Sequence, residues 1–515
     1  MRTLRKFAGV IGAHRGKYLL LLACSAFLNA FMAVANPLLL KYLFDQGVIK
    51  KDFRLFIGLA VGFILLATLW RFLSLKLSLG VQRLKNALLR SLSVRLLSEY
   101  YAIPYGSVLS KPKGYFASRI YDEPAAAANS AVDLGFNLTG SLVNSVAAFC
   151  LIVTISPKAT AALALTVPAL VLLSKRFSGR IKKHSSDEKE EEGLLRGVLA
   201  RAAEAYRTVR VFGLQERASR KLQEQTGKFV DSQYLRFSSS ALYGTLASVL
   251  ASYAETLVII VCGYEMLQGA MTFGGFMAFM NAFWIAMGGV RGLINKVPEI
   301  SRTEAVLDRM AEFFRPAPAP ARAGSGGISF DDVDFGYDGK KVLSGLSFSI
   351  APGRRMLVSG GNGCGKSTLA GLVYGFLDPD SGKVSSFAPA AISACISPHG
   401  FIPGTLGDNL GYDGLDEERR RYADRLLADL GMASLLDKDP ESMSAGQKKK
   451  AEVIMGLLKE AELYLFDEPL ANVDVDGKGR IMEHIFERAK GRTLLVIMHG
   501  DEEYRARFDG ELALS

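Results

Sequence analysis

Gly360-Gly-Asn-Gly-Cys-Gly365-Lys366-Ser367-Thr368 decides how the last third of this 515-residue chain folds. It fits the spacing G-x-x-x-x-G-K-[ST] and stands where that spacing carries meaning, after the apolar strand Met356–Ser359 and before the helical pattern Lys366–Tyr374. Glycines let the backbone curl so that N–H groups from Gly360 through Asn362, Gly363, Cys364 and Gly365 to Thr368 face a polyphosphate. Lys366 then neutralises the β and γ oxygens, and Ser367 offers its hydroxyl to Mg²⁺. Strand, glycine loop and helix open a parallel α/β sheet. About a hundred residues on, Leu463-Tyr-Leu-Phe-Asp467-Glu468-Pro469 is an apolar strand ending in two acids. Asp467 suits a Mg²⁺ shell, and Glu468 can orient or deprotonate an attacking water. Two acids after a strand are weak evidence alone, but paired with the glycine loop they point strongly to nucleotide hydrolysis.

The texture upstream is different. Apolar runs occupy Tyr18–Leu40, Leu55–Trp70, Ala125–Ile155, Ala159–Leu173, Leu242–Leu267 and Phe273–Val290. Several reach the roughly 20 residues a helix needs to cross hydrocarbon. They predict six spans; Ala159–Leu173 is short and is counted because the segment entering at Ile155 needs a return leg. The long polar connections keep helical periodicity, as in Leu84, Leu88, Leu89, Leu92 and Leu96, so they are expected to be spans prolonged into water. The acidic run Asp187–Glu192 is expected to be a solvated helix face. Arg315-Pro-Ala-Pro-Ala-Pro-Ala followed by Gly324-Ser-Gly-Gly327 has linker composition, stiff and then flexible. The expected organisation is a transmembrane domain over 1–315, a linker over 316–327 and a nucleotide-binding domain over 328–515.

The net charge of +11 would suit nucleic acid, but its distribution follows the membrane. Arg2, Arg5, Lys6, Arg15 and Lys17 precede the first run, and Val81–Pro124 and Ser174–Arg236 are base-rich, whereas Gln268–Thr272 has no base. The bias puts both termini and both long connections in the cytosol of a multi-pass cytoplasmic-membrane protein, against which Lys50, Lys51 and Arg54 stand as exceptions. The basic start with Ala33-Val-Ala35 imitates a secretory signal and cleavage site, but the apolar run is too long for a signal core and Pro37 closely follows the imitated site. The five cysteines have no zinc or disulfide spacing and are expected to pack; Cys364 could react with thiol reagents.

Met443-Ser444-Ala445-Gly446-Gln447 resembles the signature of ABC ATPases, usually Leu-Ser-Gly-Gly-Gln, and precedes the two acids at that family's spacing. Tyr337 stands where the adenine-stacking aromatic is found, Asp474 where the D-loop acid is found and His499 where the switch histidine is found. The resemblance covers nearly all of Ile328–Ser515. It implies ATP and Mg²⁺ as cofactors, with nucleotide held between the P-loop of one ATPase domain and Ser444, Gly446 and Gln447 of another, so that a single chain is inactive. The membrane part resembles the exporter half-transporters. Residues Pro104–Asp122 are similar to their first intracellular loop and Glu204–Gly213 to the region after their second; those loops dock on the ATPases. The chain departs from the pattern at His399, which replaces the Q-loop glutamine and would reach Mg²⁺ through a water. It departs also at Ala445, a methyl group near a tight backbone, and at Lys438–Ser442, where a Glu- and Gly-rich stretch is usual.

Within the membrane segments Glu255 is an acid deep in an apolar helix, expected either to line a transport path or to pair with a neighbouring helix. Asn137, Asn144 and Asn281 are expected to make interhelical hydrogen bonds or to touch substrate. Gly274, Gly275, Gly288 and Gly289 are expected to allow close packing or bending. The resulting expectation is a homodimer that exports an amphipathic peptide or other natural product, with membrane lipid around it and no nucleic-acid partner. The alternatives are a lipid flippase, or a membrane-anchored regulatory ATPase that moves no cargo.

Overall fold

The computed structural model describes residues 11–109, 115–164, 167–313, 326–337, 339–397, 400–499 and 502–514. Contacts divide the chain into two units, Met1–Tyr100 with Ala117–Phe314, and Tyr101–Phe116 with Arg315–Ser515. The linker expected over 316–327 lies almost wholly outside the described residues.

The first unit is helical. Its long elements are α1 (Arg15–Tyr42), α2 (Phe53–Tyr101), α3 (Tyr115–Ile155), α4 (Val167–Glu204), α5 (Gln215–Leu267), α6 (Phe273–Asn295) and α7 (Val297–Phe313). Among the described residues five helices are long and apolar enough to cross a membrane, namely α2, α3, α5, α6 and α1 with its continuation to Val48. The remaining expected span falls on the short helix Pro157–Ala164 and the start of α4.

Helices α2 and α5 run for 49 and 53 residues. At 1.5 Å per residue each is about 75–80 Å long, more than twice the ~30 Å of hydrocarbon, so half of each must stand in water. The leucines at 84, 88, 92 and 96 are buried along one stripe of α2, as their spacing predicts, whereas Leu89 of the expected set lies off the stripe and is exposed. The acidic run of α4 is more than a solvated face. Glu188 pairs with Arg236 of α5, and Glu191 accepts from Gln225 Nε2 at 2.6 Å, lacing the two extensions together.

The apolar core of this unit sets Ala247, Ala251, Ala254, Val258 and Cys262 of α5 with Phe279, Phe283 and Met287 of α6 and Ile152 of α3. Gly274 lies against the Lys41 carbonyl and Asp45, and Gly289 against Ser141 and Ser145, so two of the four expected positions are close approaches of helix to helix. Asp45 accepts from Thr272 Oγ1 at 2.8 Å and from the Gly274 N–H at 2.9 Å, which ties α1's continuation to the start of α6.

Arg309 of α7 grips Glu123 of α3 through both carboxylate oxygens, at 2.5 and 3.3 Å, and Glu123 is buried. Removing one partner strands the other charge. Arg309→Ala is therefore expected to cost about 2 kcal/mol, less than a fully enclosed pair because Arg309 is partly solvated. A lowered thermal midpoint with Arg309→Ala, largely recovered in the Arg309→Met/Glu123→Met double variant, would check it.

The second unit is α/β. Strands β1 (Ile328–Tyr337), β2 (Lys340–Ile350) and β4 (Ser381–Ser385) form an antiparallel sheet in the order β2-β1-β4. A five-stranded parallel sheet has the order β5-β6-β7-β3-β8, with β3 Arg355–Gly360, β5 Ile392–Cys395, β6 Leu463–Asp467, β7 Thr493–Ile497 and β8 Gly510–Leu514. Every residue of β6 and β7 is buried, as strands covered on both faces require. Helix α8 (Lys366–Tyr374) packs Leu369, Leu372 and Val373 on one side, with Leu465 and Leu495. Helices α9 (Glu417–Asp429), α10 (Ala445–Leu458) and α11 (Val475–Arg488) close the other, with Phe466 and Val496. The sheet delivers the glycine loop from the end of β3 and the two acids from the end of β6, two strands apart in space across β7.

Candidate functional site

The glycine loop follows β3 and hands over to α8 at Gly365, whose φ of +95° is left-handed. A Cβ there would sit 2.8 Å from Leu343 Cδ2, so glycine is required both by conformation and by space. Gly363 also has positive φ, and Asn362 and Gly363 are exposed while Cys364 is half-buried. Lys366 is buried, and its Nζ donates to the carbonyls of Gly360 and Gly361 at 3.0 and 2.7 Å. The ammonium is thereby held over the loop's hollow at the N-terminus of α8, where helix dipole and charge favour the same anion. Thr368 is buried one residue beyond Ser367.

Ser367 Oγ donates to Asp467 Oδ2 at 2.9 Å, joining the start of α8 to the end of β6. A hydroxyl and a carboxylate side by side are hard oxygen donors of the kind Mg²⁺ takes, so the residues fit that ion. Burial pushes the Asp467 carboxyl above the usual range, against the Ser367 hydroxyl, which favours the ionised form. For an acid raised in this way the native state holds its proton longer than the unfolded chain. Stability therefore falls as pH rises from the unfolded carboxylate pKa through the native one. Asp467→Asn keeps the shape and removes the buried charge. It is expected to raise the Mg²⁺-free thermal midpoint at neutral pH while removing Mg²⁺-dependent hydrolysis, readable by calorimetry in chelator beside an ATPase assay.

Glu468 follows with φ of +50°, held by its N–H donating to Ile497 O at 2.9 Å, and its side chain is exposed. A non-glycine residue in that region stores strain of order 1–3 kcal/mol, which marks functional positions. His499 lies just after β7 and is exposed. Tyr337 ends β1 with its ring 42 % exposed, edge-on to Phe335 at 4.9 Å. His399 lies outside the described residues.

Ser444 caps α10: its Oγ accepts from the Gln447 N–H and Gln447 Oε1 accepts from the Ser444 N–H, a reciprocal capping box. The tight backbone expected at Ala445 is found one residue later. Ala445 is exposed, whereas a Cβ on Gly446 would lie 2.4 Å from the Asn472 carbonyl oxygen. Asn472 itself has φ of +62°. Asp474 caps α11 and pairs with Lys450 at 2.8 Å, a contact that holds its carboxyl below the ordinary range. Asn472 was not singled out from sequence; the Asn-Val-Asp turn was the available signal.

Tyr105 and Leu109 pack within this unit, Tyr105 with its ring 4.9 Å from Phe376. With Tyr337, Ser367, Thr368 and Gly400 they line a cavity of about 550 Å³. In the membrane unit, Trp284 Nε1 donates to Glu255 Oε1 at 3.1 Å and Asn36 Nδ2 to Asn281 Oδ1 at 3.5 Å, while Asn137 is exposed.

A P-loop domain with paired acids and a capped signature helix, in one chain with a bundle of apolar helices, defines a membrane-borne nucleotide hydrolase. Family models agree on both parts, the ABC transporter transmembrane region over residues 19–290 and the ABC transporter model over 343–471. The chain belongs to the ABC transporters. It therefore binds ATP and spans the membrane. It is 23% identical to an ATP-dependent lipid A-core flippase of Xylella fastidiosa (strain Temecula1 / ATCC 700964), over 97% of this chain and 90% of that one. It is 22% identical to a putative multidrug export ATP-binding/permease protein, YgaD, of Bacillus subtilis (strain 168), over 90% and 87%. A bacterial Atm1-family ABC exporter with ATP bound shares its fold, with a TM-score of 0.79 at 20% identity over 96% of this chain and 93% of that one.

Proposed function

We propose that this chain is an exporter half-transporter which pairs with a second copy and moves amphipathic cargo out across the cytoplasmic membrane. The observation that carries the reading is the cavity just described. Tyr105 and Leu109, from a connection between two membrane helices, share its wall with Ser367 and Thr368 of the phosphate loop. Movement at the nucleotide can thus be felt by the membrane helices.

Glycine-loop N–H groups and Lys366 hold the triphosphate, Tyr337 stacks on adenine, and Ser367 and Asp467 hold Mg²⁺, which would screen phosphate charge. Glu468 orients and deprotonates water, with His499 near the reacting end. Ser444, Gly446 and Gln447 of one copy meet the nucleotide on the other, and Asp474 steadies that junction. The base-rich connections support a cytosolic ATPase and cytosolic termini.

Lipid is the cargo favoured by the flippase names of relatives that match 97% of the chain; a peptide is the second reading. Proteoliposomes carrying a fluorescent phospholipid or a labelled amphipathic peptide test it. ATP-dependent movement lost in Glu468→Gln is expected; hydrolysis that moves neither would favour a regulatory ATPase.

A further inference from the structure

Glu255 stands twelve residues before Leu267, the end of α5, and Trp284 eleven residues after Phe273, the start of α6. At 1.5 Å per residue both lie about 17 Å from the connection between these helices, near the middle of a ~30 Å hydrocarbon layer. The hydrogen bond from Trp284 Nε1 to Glu255 Oε1 confirms the shared depth. Asn281 is one turn along α6 on the same face as Trp284 and meets Asn36 of α1.

Glu255 lies beside the buried alanine stripe Ala247, Ala251 and Ala254, and is half-buried. Trp284 is 44% exposed, so the indole presents a face as well as its N–H. No lysine or arginine among the described residues pairs with Glu255. A carboxylate at this depth is costly beside lipid and is retained where it faces a cavity or a counter-charge.

Resting on the export reading above, we propose that Glu255 and Trp284 form a cation-recognition subsite, so that the cargo carries a positively charged head on an apolar body. The carboxylate supplies the opposite charge and the indole face a cation–π surface, and both gain strength from low dielectric. The Asn36–Asn281 pair provides neutral hydrogen-bonding groups in the next layer for the cargo's uncharged polar atoms.

The chain has two tryptophans, Trp70 and Trp284, so Trp70→Phe makes Trp284 the sole tryptophan, readable by excitation above the tyrosine band. In nanodiscs of that variant, tetraphenylphosphonium is expected to change Trp284 emission saturably and to stimulate ATP hydrolysis. The isosteric anion tetraphenylborate is expected to give only the linear change of partition into lipid. Glu255→Gln should weaken the apparent phosphonium affinity at least tenfold, and Glu255→Asp should retain most of it. The aspartate variant keeps the test open if glutamine impairs folding.

Equal phosphonium affinity with and without the carboxylate, or saturable binding of the anion instead, would overturn the subsite. In both cases ATP-driven, Glu468-dependent movement of the phospholipid or peptide in proteoliposomes would leave the export reading standing. Hydrolysis indifferent to Glu468 would remove that reading itself.

Discussion

Glu468→Gln is expected to bind ATP normally and to hydrolyse it at a rate lower by about two to four orders of magnitude, the range a general base contributes. The substitution keeps size and hydrogen-bonding reach but removes the basic oxygen. Backbone geometry makes the residue a sharp probe. Its φ of +50° is fixed by the bond to Ile497 O, so a glutamine is held in the same place and relaxation cannot hide the effect. Neighbouring Asp467 stays bonded to Ser367, and the Mg²⁺ donors are untouched. Nucleotide binding followed with a fluorescent ATP analogue, beside phosphate release, separates the two quantities. A loss of binding equal to the loss of rate would place Glu468 in the binding frame instead of the chemistry.

The second large effect is steric. Gly446→Ala places a methyl carbon 2.4 Å from the Asn472 carbonyl oxygen, a backbone atom held by a left-handed residue that cannot step aside cheaply. Overpacking of this kind costs about 1–3 kcal/mol. If that cost falls on the geometry that presents Ser444 and the α10 N-terminus, hydrolysis drops roughly 10- to 100-fold, at 1.36 kcal/mol per tenfold in rate. Nucleotide binding at the chain's own glycine loop should be spared. Ala445→Gly is the control. Ala445 faces solvent, so restoring glycine beside Gly446 should change activity less than about threefold, since exposed substitutions stay near ±0.5 kcal/mol. Comparable losses in both variants would mean that the crowding at Asn472 is not what the signature helix depends on.

These positions differ in how far sequence alone revealed them. The glycine loop and the two acids were readable because phosphate chemistry fixes both residue type and spacing, and the strand before each was a short apolar run. The α2 stripe at Leu84, Leu88, Leu92 and Leu96 was readable because helix period depends only on local sequence. Contacts between distant segments were not. Nothing in Asp187–Glu192 says that Glu188 meets Arg236, and nothing in Pro104–Leu109 says that Tyr105 meets Phe376. The crowding at the signature was expected at Ala445 and found at Gly446, because the obstacle is a carbonyl of Asn472, supplied by another turn. Glu255 was visible as an anomaly in an apolar helix, but its indole partner on α6 was not.

The central claim is that two copies of this chain hold ATP between them and hydrolyse it. Mass measurement of intact nanodisc-borne Glu468→Gln loaded with ATP and Mg²⁺, beside the hydrolysis rate of the wild-type chain, tests it most directly. Two chains and two nucleotides per particle, with wild-type activity that disappears on dilution to single chains, is the predicted result. A single chain per particle that hydrolyses ATP at the full rate would contradict it.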